Sequence, residues 1–562
     1  MSIHSIEAKQ QIRECVLKAA GAAVAEGKFP AVLLPDFTIE VPAERAHGDF
    51  AVNAALVWAR ALKSAPIKIA ETLVKFMDFT GTYISRIEIA GPGFMNFFLN
   101  DRYYAEIIKD IESKAENYGR SDLGRSQKVM VEFVSANPTG PMHIGNARGG
   151  ALGDCLASVL EYAGYDVTRE FYVNDAGNQI QKLAASLEAR YLQIYKQDIE
   201  FPEDGYQGED IKVRAAEFAT QFGDSFVNKP SEERRRALVD YVLPKNIAEL
   251  KSDLEAYRIN YDVWFKESSL YESGELDRVI NLMKEKGLTY EKDGALWYRA
   301  TEHGGEKDEV LIRANGTPTY FAADIAYHYN KFALRGFDRV INVWGADHHG
   351  HVARLKGALD AIGLDGSKLD IVLMQLVRLM RDGEVVRVSK RTGKSITLKT
   401  LLEEVSVDAA RFIFNSKEPN THLEFDLDLA VEQSNQNPVY YVQYAHARIC
   451  SILRNLKAEG IEPRECTTDE LVLLTAPEER ELIRHLAALT EEIQAAAKAY
   501  DPARITRYVY DLATLFHKFY NSCRVRVNDE PLMQARLALC LAAARVIKNV
   551  LSMLKINAPE SM

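Results

Sequence analysis

Apolar residues at helical spacing (Ile12, Cys15, Val16, Ala19) predict a helix over residues 1–27. Short β-like runs follow at 31–34, 37–41, 84–89 and 94–99, with a helical stretch at 50–62 between them. This is the pattern of a small α+β unit. Residues 101–118 read as a helix, and 119–127 is a polar Gly/Ser/Arg linker. From Lys128 the texture changes. An apolar, β-branched run at 129–135 suits a buried parallel strand. A turn-rich loop, a helix over 144–163 and a strand over 167–173 complete a βαβ unit. Residues 176–300 are charged and mostly helical and read as an insertion. Strand and helix alternate again at 339–344, 351–362 and 371–376, and from about Ala409 the chain is nearly all helical.

The expected architecture is therefore α/β. A Rossmann-type, doubly wound parallel domain at 111–425 is split by the insertion 176–300. It follows a small α+β domain at 1–110 and precedes an all-α domain at 426–562.

Composition narrows the class. Hydrophobic residues make up 47% and charged residues 27%, the balance of a chain that buries a core. No apolar run approaches the ~20 residues of a membrane helix, so no membrane partner is expected. The N-terminus lacks the apolar stretch of a secretory signal. Six cysteines without CxxC pairing suggest neither a zinc site nor a disulfide framework, and a reducing cytoplasm is the expected compartment. The net charge of -11 argues against a globally basic nucleic-acid binder. That charge falls within 111–440, however, and both ends are near neutral. An acidic middle suits a cationic small molecule, though acidic surfaces are common.

Two motifs carry chemistry. The first strand runs into Ala136-Asn137-Pro138-Thr139-Gly140-Pro141-Met142-His143-Ile144-Gly145-Asn146. A strand's open end feeding a helix N-terminus is a phosphate site. Gly145, Gly149, Gly150 and Gly153 cost about 1 kcal/mol each in a helix. That cost makes sense if a flat group such as adenine must approach the backbone. His143 can donate a hydrogen bond to a phosphate oxygen as charge builds. Alone, HxGN is equally a Gly/Pro-rich connection. The second motif is Arg387-Val388-Ser389-Lys390-Arg391-Thr392-Gly393, after a hairpin turning at Asp382-Gly383. Lys390 there would offset charge on a leaving pyrophosphate.

An HxGN loop after the first strand and an SKR loop after the last form a pair. The pair resembles the HIGH and KMSKS signatures of the class I aminoacyl-tRNA synthetases. Asn146 replaces the second histidine, and Arg387 and Val388 replace the first lysine and methionine. Further stretches are similar to the arginyl-tRNA synthetase family in particular. They are Val131–Pro141, Tyr172–Gly177, Gly345–His351, Ser389–Leu398, His47–Phe50, Ala90–Phe94 and Tyr444–Arg448.

The resemblance implies arginine activation with Mg2+-ATP and transfer to tRNA(Arg). It implies His143, Asn146 and Lys390 as the catalytic groups. ATP would be bound by Ala136, Pro138–Asn146, Ser389 and Lys390. Glu132, Tyr320 and Asp324 would grip the guanidinium, a planar cation with five donors. Ser135 and Asn137 would bind the amino-acid end, and Asp347 or its neighbour His348 the α-ammonium. His348, His349 and His351 lack carboxylate and cysteine partners at metal spacing, so no resident metal is expected, and an ATP-side or structural role is read for them. Both end domains would hold tRNA, the C-terminal one as the anticodon-binding domain. Arg448, Arg454, Arg524, Arg526, Tyr440, Tyr441 and Tyr444 are its contact candidates, although the same residues suit solvation or helix packing. A monomer is expected.

Overall fold

In a computed structural model, residues 3–42, 44–196, 198–386 and 396–562 are described. Ser389 and Lys390 lie outside them. The centre is a five-stranded parallel sheet in the order Leu369–Met374, Arg339–Gly345, Lys128–Glu132, Asp166–Val173, Val263–Lys266. The first strand in the chain is the middle one. The chain builds outward on one side of it and then returns to the other. The switch point therefore lies between Lys128–Glu132 and Arg339–Gly345, and ligands of such sheets bind at the carboxyl ends there. Both strands are buried along nearly their whole length, as the apolar runs require.

The stretch 176–300 is not one helical insertion. Three helices, Gly177–Tyr195, Glu209–Phe222 and Ser231–Ala256, do fill its first part. Val263–Lys266 is nevertheless the edge strand of the main sheet, paired with Glu170–Val173. Thr289–Lys292 and Ala295–Tyr298 then form an antiparallel sheet with Glu309–Ile312. Four residues carry too little periodicity to reveal a strand whose partner is distant in sequence.

The N-terminal unit is a four-stranded antiparallel sheet backed by helices. The expected strand at 31–34 is absent, and Leu33 stands 95% exposed. The stretch 50–62 opens as the strand Phe50–Val52 and becomes a helix only at Ala54–Leu62. Gly48 has φ +87, and a Cβ there would sit 2.7 Å from the Phe97 carbonyl, which explains the glycine of His47–Phe50. The neighbouring Asp49 accepts from Leu99 N–H at 2.8 Å, Tyr104 at 2.6 Å and Arg484 at 2.5 Å. That last bond ties the N-terminal unit to the C-terminal helices.

The hairpin Val377–Arg381/Glu384–Val385 forms as expected, with positive φ at Asp382 and Gly383. A parallel strand, Leu423–Asp426, joins it just before the terminal helices.

Candidate active site

The chain leaves the central strand through a strained turn. Val134 and Ser135 have φ +69 and +41, a conformation that costs a β-branched residue about 1–2 kcal/mol. Local bonds hold it. Ser135 N–H donates to Phe133 O at 3.0 Å, and the Tyr261 hydroxyl donates to the same carbonyl at 3.0 Å. The Ser135 hydroxyl donates to Glu132 Oε1 at 3.0 Å and accepts from Tyr172 N–H at 3.2 Å.

Beyond the turn, a cavity of about 500 Å³ is lined by Val134, Ser135, Ala136, Asn137, Thr139, Gly140, Pro141, His143 and Asn146. The opposite wall is Tyr206, Gln207, Gly208 and Asp210. Sequence reasoning missed that wall, which comes from a segment with no motif. Pro138, Met142, Ile144 and Gly145 do not line the cavity. Pro138 O accepts from Asn246 at 3.0 Å, which braces the loop on the long helix Ser231–Ala256. Met142 and Ile144 pack into the core.

His143 precedes the helix Ile144–Tyr162. His143 is the N-cap, and the Asn146 side chain reaches back to accept its N–H at 3.1 Å, which fixes the helix start. Surrounding protein lowers the His143 pKa, which keeps the ring neutral near pH 7 and able to donate from one nitrogen. The chain just past Lys390 returns to this spot. Thr397 bridges His143, and Leu398 N–H donates to Met142 O at 2.8 Å.

The glycines of this helix serve packing more than ligand approach. A Cβ on Gly153 would lie 2.2 Å from the Phe133 ring, and one on Gly150 2.8 Å from Ile259. At Gly145 the nearest atom is His143 itself, 3.7 Å away. At Gly153 the helix lies so close to the Phe133 ring that no side chain fits, whereas at Gly150 the tip of Ile259 would have to shift.

There is a second cavity of about 850 Å³. Ala176, Gly177, Glu267, Tyr271, Arg313 and Tyr320 are among its lining residues. Tyr320 is 41% exposed and opens the helix Tyr320–Tyr329, capped by Thr319. Asp324 lies one turn on, so the two share a face as the spacing predicts. Glu267 was not anticipated. It directly follows the edge strand, is 1% exposed, and accepts from Tyr271 at 3.0 Å. Burial pushes its pKa up to about 7, and Asp324 and Asp175 add to the rise against the lowering bonds from Tyr271 and Tyr172. The only sequence signal was a carboxylate at the end of a short apolar run.

Asp324 Oδ2 accepts from His351 Nε2 at 2.8 Å. The histidine turn thus supports the Asp324 carboxylate rather than the loop of His143. Asp347 stands exposed at the end of Arg339–Gly345, 3.8 Å from His348. Glu132 is already paired. Its Oε2 accepts from the fully buried Lys331 at 2.5 Å.

In the C-terminal helices, Tyr440 and Tyr444 stack at 6.4 Å, and Arg448 lies over Tyr444 and Tyr520. Arg454 donates to Glu560 O, and Arg526 pairs with Glu459. Tyr441 packs on Tyr510 and His517. The Arg524 carbonyl accepts from Arg536.

Three family descriptions match the chain in succession. They are "Arginyl tRNA synthetase N terminal domain" over 7–99, "tRNA synthetases class I (R), catalytic domain" over 108–451 and "DALR anticodon binding domain" over 442–562. An arginine–tRNA ligase of Caldanaerobacter subterraneus is 58% identical over 556 residues, covering 99% of each chain. One from Ruminiclostridium cellulolyticum is 56% identical over 558 residues, again covering 99% of each. The Thermus thermophilus arginyl-tRNA synthetase structure superposes with a TM-score of 0.72 at 24% identity, covering 98% of this chain and all of that one. At that identity it speaks for the fold.

Proposed function

The chain belongs to the arginyl-tRNA synthetase family, and from that premise we infer how its two cavities divide the work. The activity is that of a class I arginine–tRNA ligase. L-Arginine is activated with ATP to arginyl-adenylate, and arginine is then transferred to tRNA(Arg), releasing AMP and diphosphate.

The larger cavity takes the arginine side chain. The observation that carries this assignment is Glu267, a buried carboxylate of the cavity wall with a pKa near 7, raised by burial and by the nearby charges of Asp324 and Asp175. Desolvated carboxylates that crowd one another become favourable only when a cation joins them. Glu267 and Asp324 supply the charge, and the Tyr320 and Tyr271 hydroxyls the remaining acceptors. Asn137, in the lining of the smaller cavity, binds the amino-acid end. Ser135 shapes the turn, because its hydroxyl is used within the protein. Glu132 acts from behind that turn, and Asp347 faces the α-ammonium.

The smaller cavity takes ATP. Neutral His143 donates to the phosphate as the arginine carboxylate attacks the α-phosphorus, and Asn146 holds the helix start in place. Lys390 and Ser389 act on the departing pyrophosphate. No side-chain nucleophile is needed, because positioning and charge stabilisation suffice. Mg2+ bound to ATP would offset the charge of the phosphates.

The division 1–110, 111–425 and 426–562 assigns the outer segments to tRNA. We further propose a monomer working in the cytoplasm, a compartment consistent with six free thiols. The test is ATP–pyrophosphate exchange in the presence of tRNA with each of the twenty amino acids. Arginine alone should support it. Exchange with lysine or cysteine but not arginine overturns the assignment.

A further inference from the structure

Three buried polar side chains stand side by side in the parallel sheet. Glu170, Glu132 and Asn342 are in register on adjacent strands, and none is more than 7% exposed. Two neighbouring carboxylates in a sheet interior are costly unless each meets a cation. The segment that covers them provides two. Arg335 donates to Glu170 Oε2 at 2.5 Å, and Tyr327 donates to Glu170 Oε1 at 2.5 Å. Lys331 has no exposed side-chain surface and donates to Glu132 Oε2 at 2.5 Å. Its ammonium also donates to Asn342 Oδ1 at 3.3 Å and lies 4.0 Å from the centre of the Tyr327 ring. Lys331 belongs to a π-helical turn, Asn330–Leu334, a local form that recurs at functional sites.

Two chains of bonds leave Lys331. One passes through Glu132 to the Ser135 hydroxyl and on to Tyr172 N–H. The other passes through Asn342, whose Nδ2 lies 2.9 Å from His328 Nε2, and from His328 Nδ1 to the Asp324 carbonyl at 2.8 Å. The first passes Ser135, which lines the smaller cavity. The second ends at the backbone of Asp324, on the helix that Tyr320 opens at the larger one.

We propose that Lys331 is a positioning residue for arginine recognition. Its buried charge engages Glu132, so that Glu267 and Asp324 are left to the substrate cation, and through Asn342 and His328 it braces the backbone of Asp324. This rests on reading the larger cavity as the arginine site.

The test is steady-state aminoacylation by wild type, Lys331→Met, Lys331→Arg, Glu132→Gln and the Lys331→Met/Glu132→Gln double variant, varying arginine and ATP separately. Thermal melts check folding. Lys331→Met should raise the arginine KM about tenfold or more and leave the ATP KM nearly unchanged. Lys331→Arg keeps the charge and should restore most of the loss. The double variant removes both charges and should have an arginine KM close to that of Glu132→Gln alone. An unchanged arginine KM in Lys331→Met overturns the proposal, as does a parallel rise in both KM values. If Lys331→Met does not fold, the double variant decides. An arginine KM far above that of Glu132→Gln means that Lys331 acts other than through Glu132, and the proposal fails. A Glu267→Gln variant that charges arginine with an unchanged KM would sink the assignment of the cavity instead.

Discussion

Asp324 accepts a hydrogen bond from His351 Nε2 at 2.8 Å because Arg354 donates to the ring's other nitrogen at 2.7 Å. Arg354 in turn donates to Glu309 Oε1 at 2.7 Å. The tautomer of His351 is thereby set, and one oxygen of Asp324 is held in place while its side chain stays partly exposed. His351→Ala should raise the arginine KM about tenfold through lost orientation, with little change in the ATP KM. Separate titrations of the two substrates check this. A rise confined to ATP would return the histidine turn to the nucleotide side.

Glu267 carries the pH dependence. In the free protein it holds its proton up to about pH 7, against an ordinary value of 4.5. A bound guanidinium favours the ionised form. Arginine binding below pH 7 should therefore release a proton, and the arginine KM should climb as pH falls through 7. Calorimetry in two buffers of different ionisation heat measures the release, and no release at pH 6.5 would contradict it. The stability sign runs the opposite way to a salt-bridged carboxylate. The folded chain binds the extra proton between pH 4.5 and about 7, so it loses stability as pH rises across that window and stays lower above it. Glu267→Gln should thus raise the Tm at pH 8 while abolishing arginine charging.

Gly153 and Gly145 separate packing from ligand approach. Gly153→Ala drives a methyl into the Phe133 ring and should destabilise the fold by several kcal/mol. Gly145→Ala meets only His143 at ordinary contact distance and should leave the Tm unchanged or slightly higher. Denaturant melts measure both. An ATP KM raised by Gly145→Ala would restore a ligand-approach role at that one position.

The bridge from His143 to Thr397 brings the chain beyond Lys390 back to the phosphate side of the site. Lys390→Ala should depress pyrophosphate exchange about a hundredfold while arginine binding stays near wild type. Equilibrium binding of arginine beside exchange rates provides the comparison. Equal losses in both would remove Lys390 from its proposed role.

Long periodic segments were legible from the amino-acid order alone. The helix Ile144–Tyr162, the strands around it and the Asp382-Gly383 hairpin came from local spacing and turn chemistry. So did the shared face of Tyr320 and Asp324, because i and i+4 meet on any helix. Val263–Lys266 was not legible, since a four-residue strand is defined by a partner far away in the chain. Glu267, immediately after it, was lost for the same reason.

Only the tertiary structure decided which charges are spoken for. Glu132 looked like an open carboxylate until Lys331, distant in the chain, proved to occupy it. Asp324 looked free until His351 arrived from the next strand–helix crossing. Residue order determined which chemistry was present and roughly where along the fold it lies. Whether a charge is left for a ligand depends on burial and long-range partners, and those exist only once the sheet has closed.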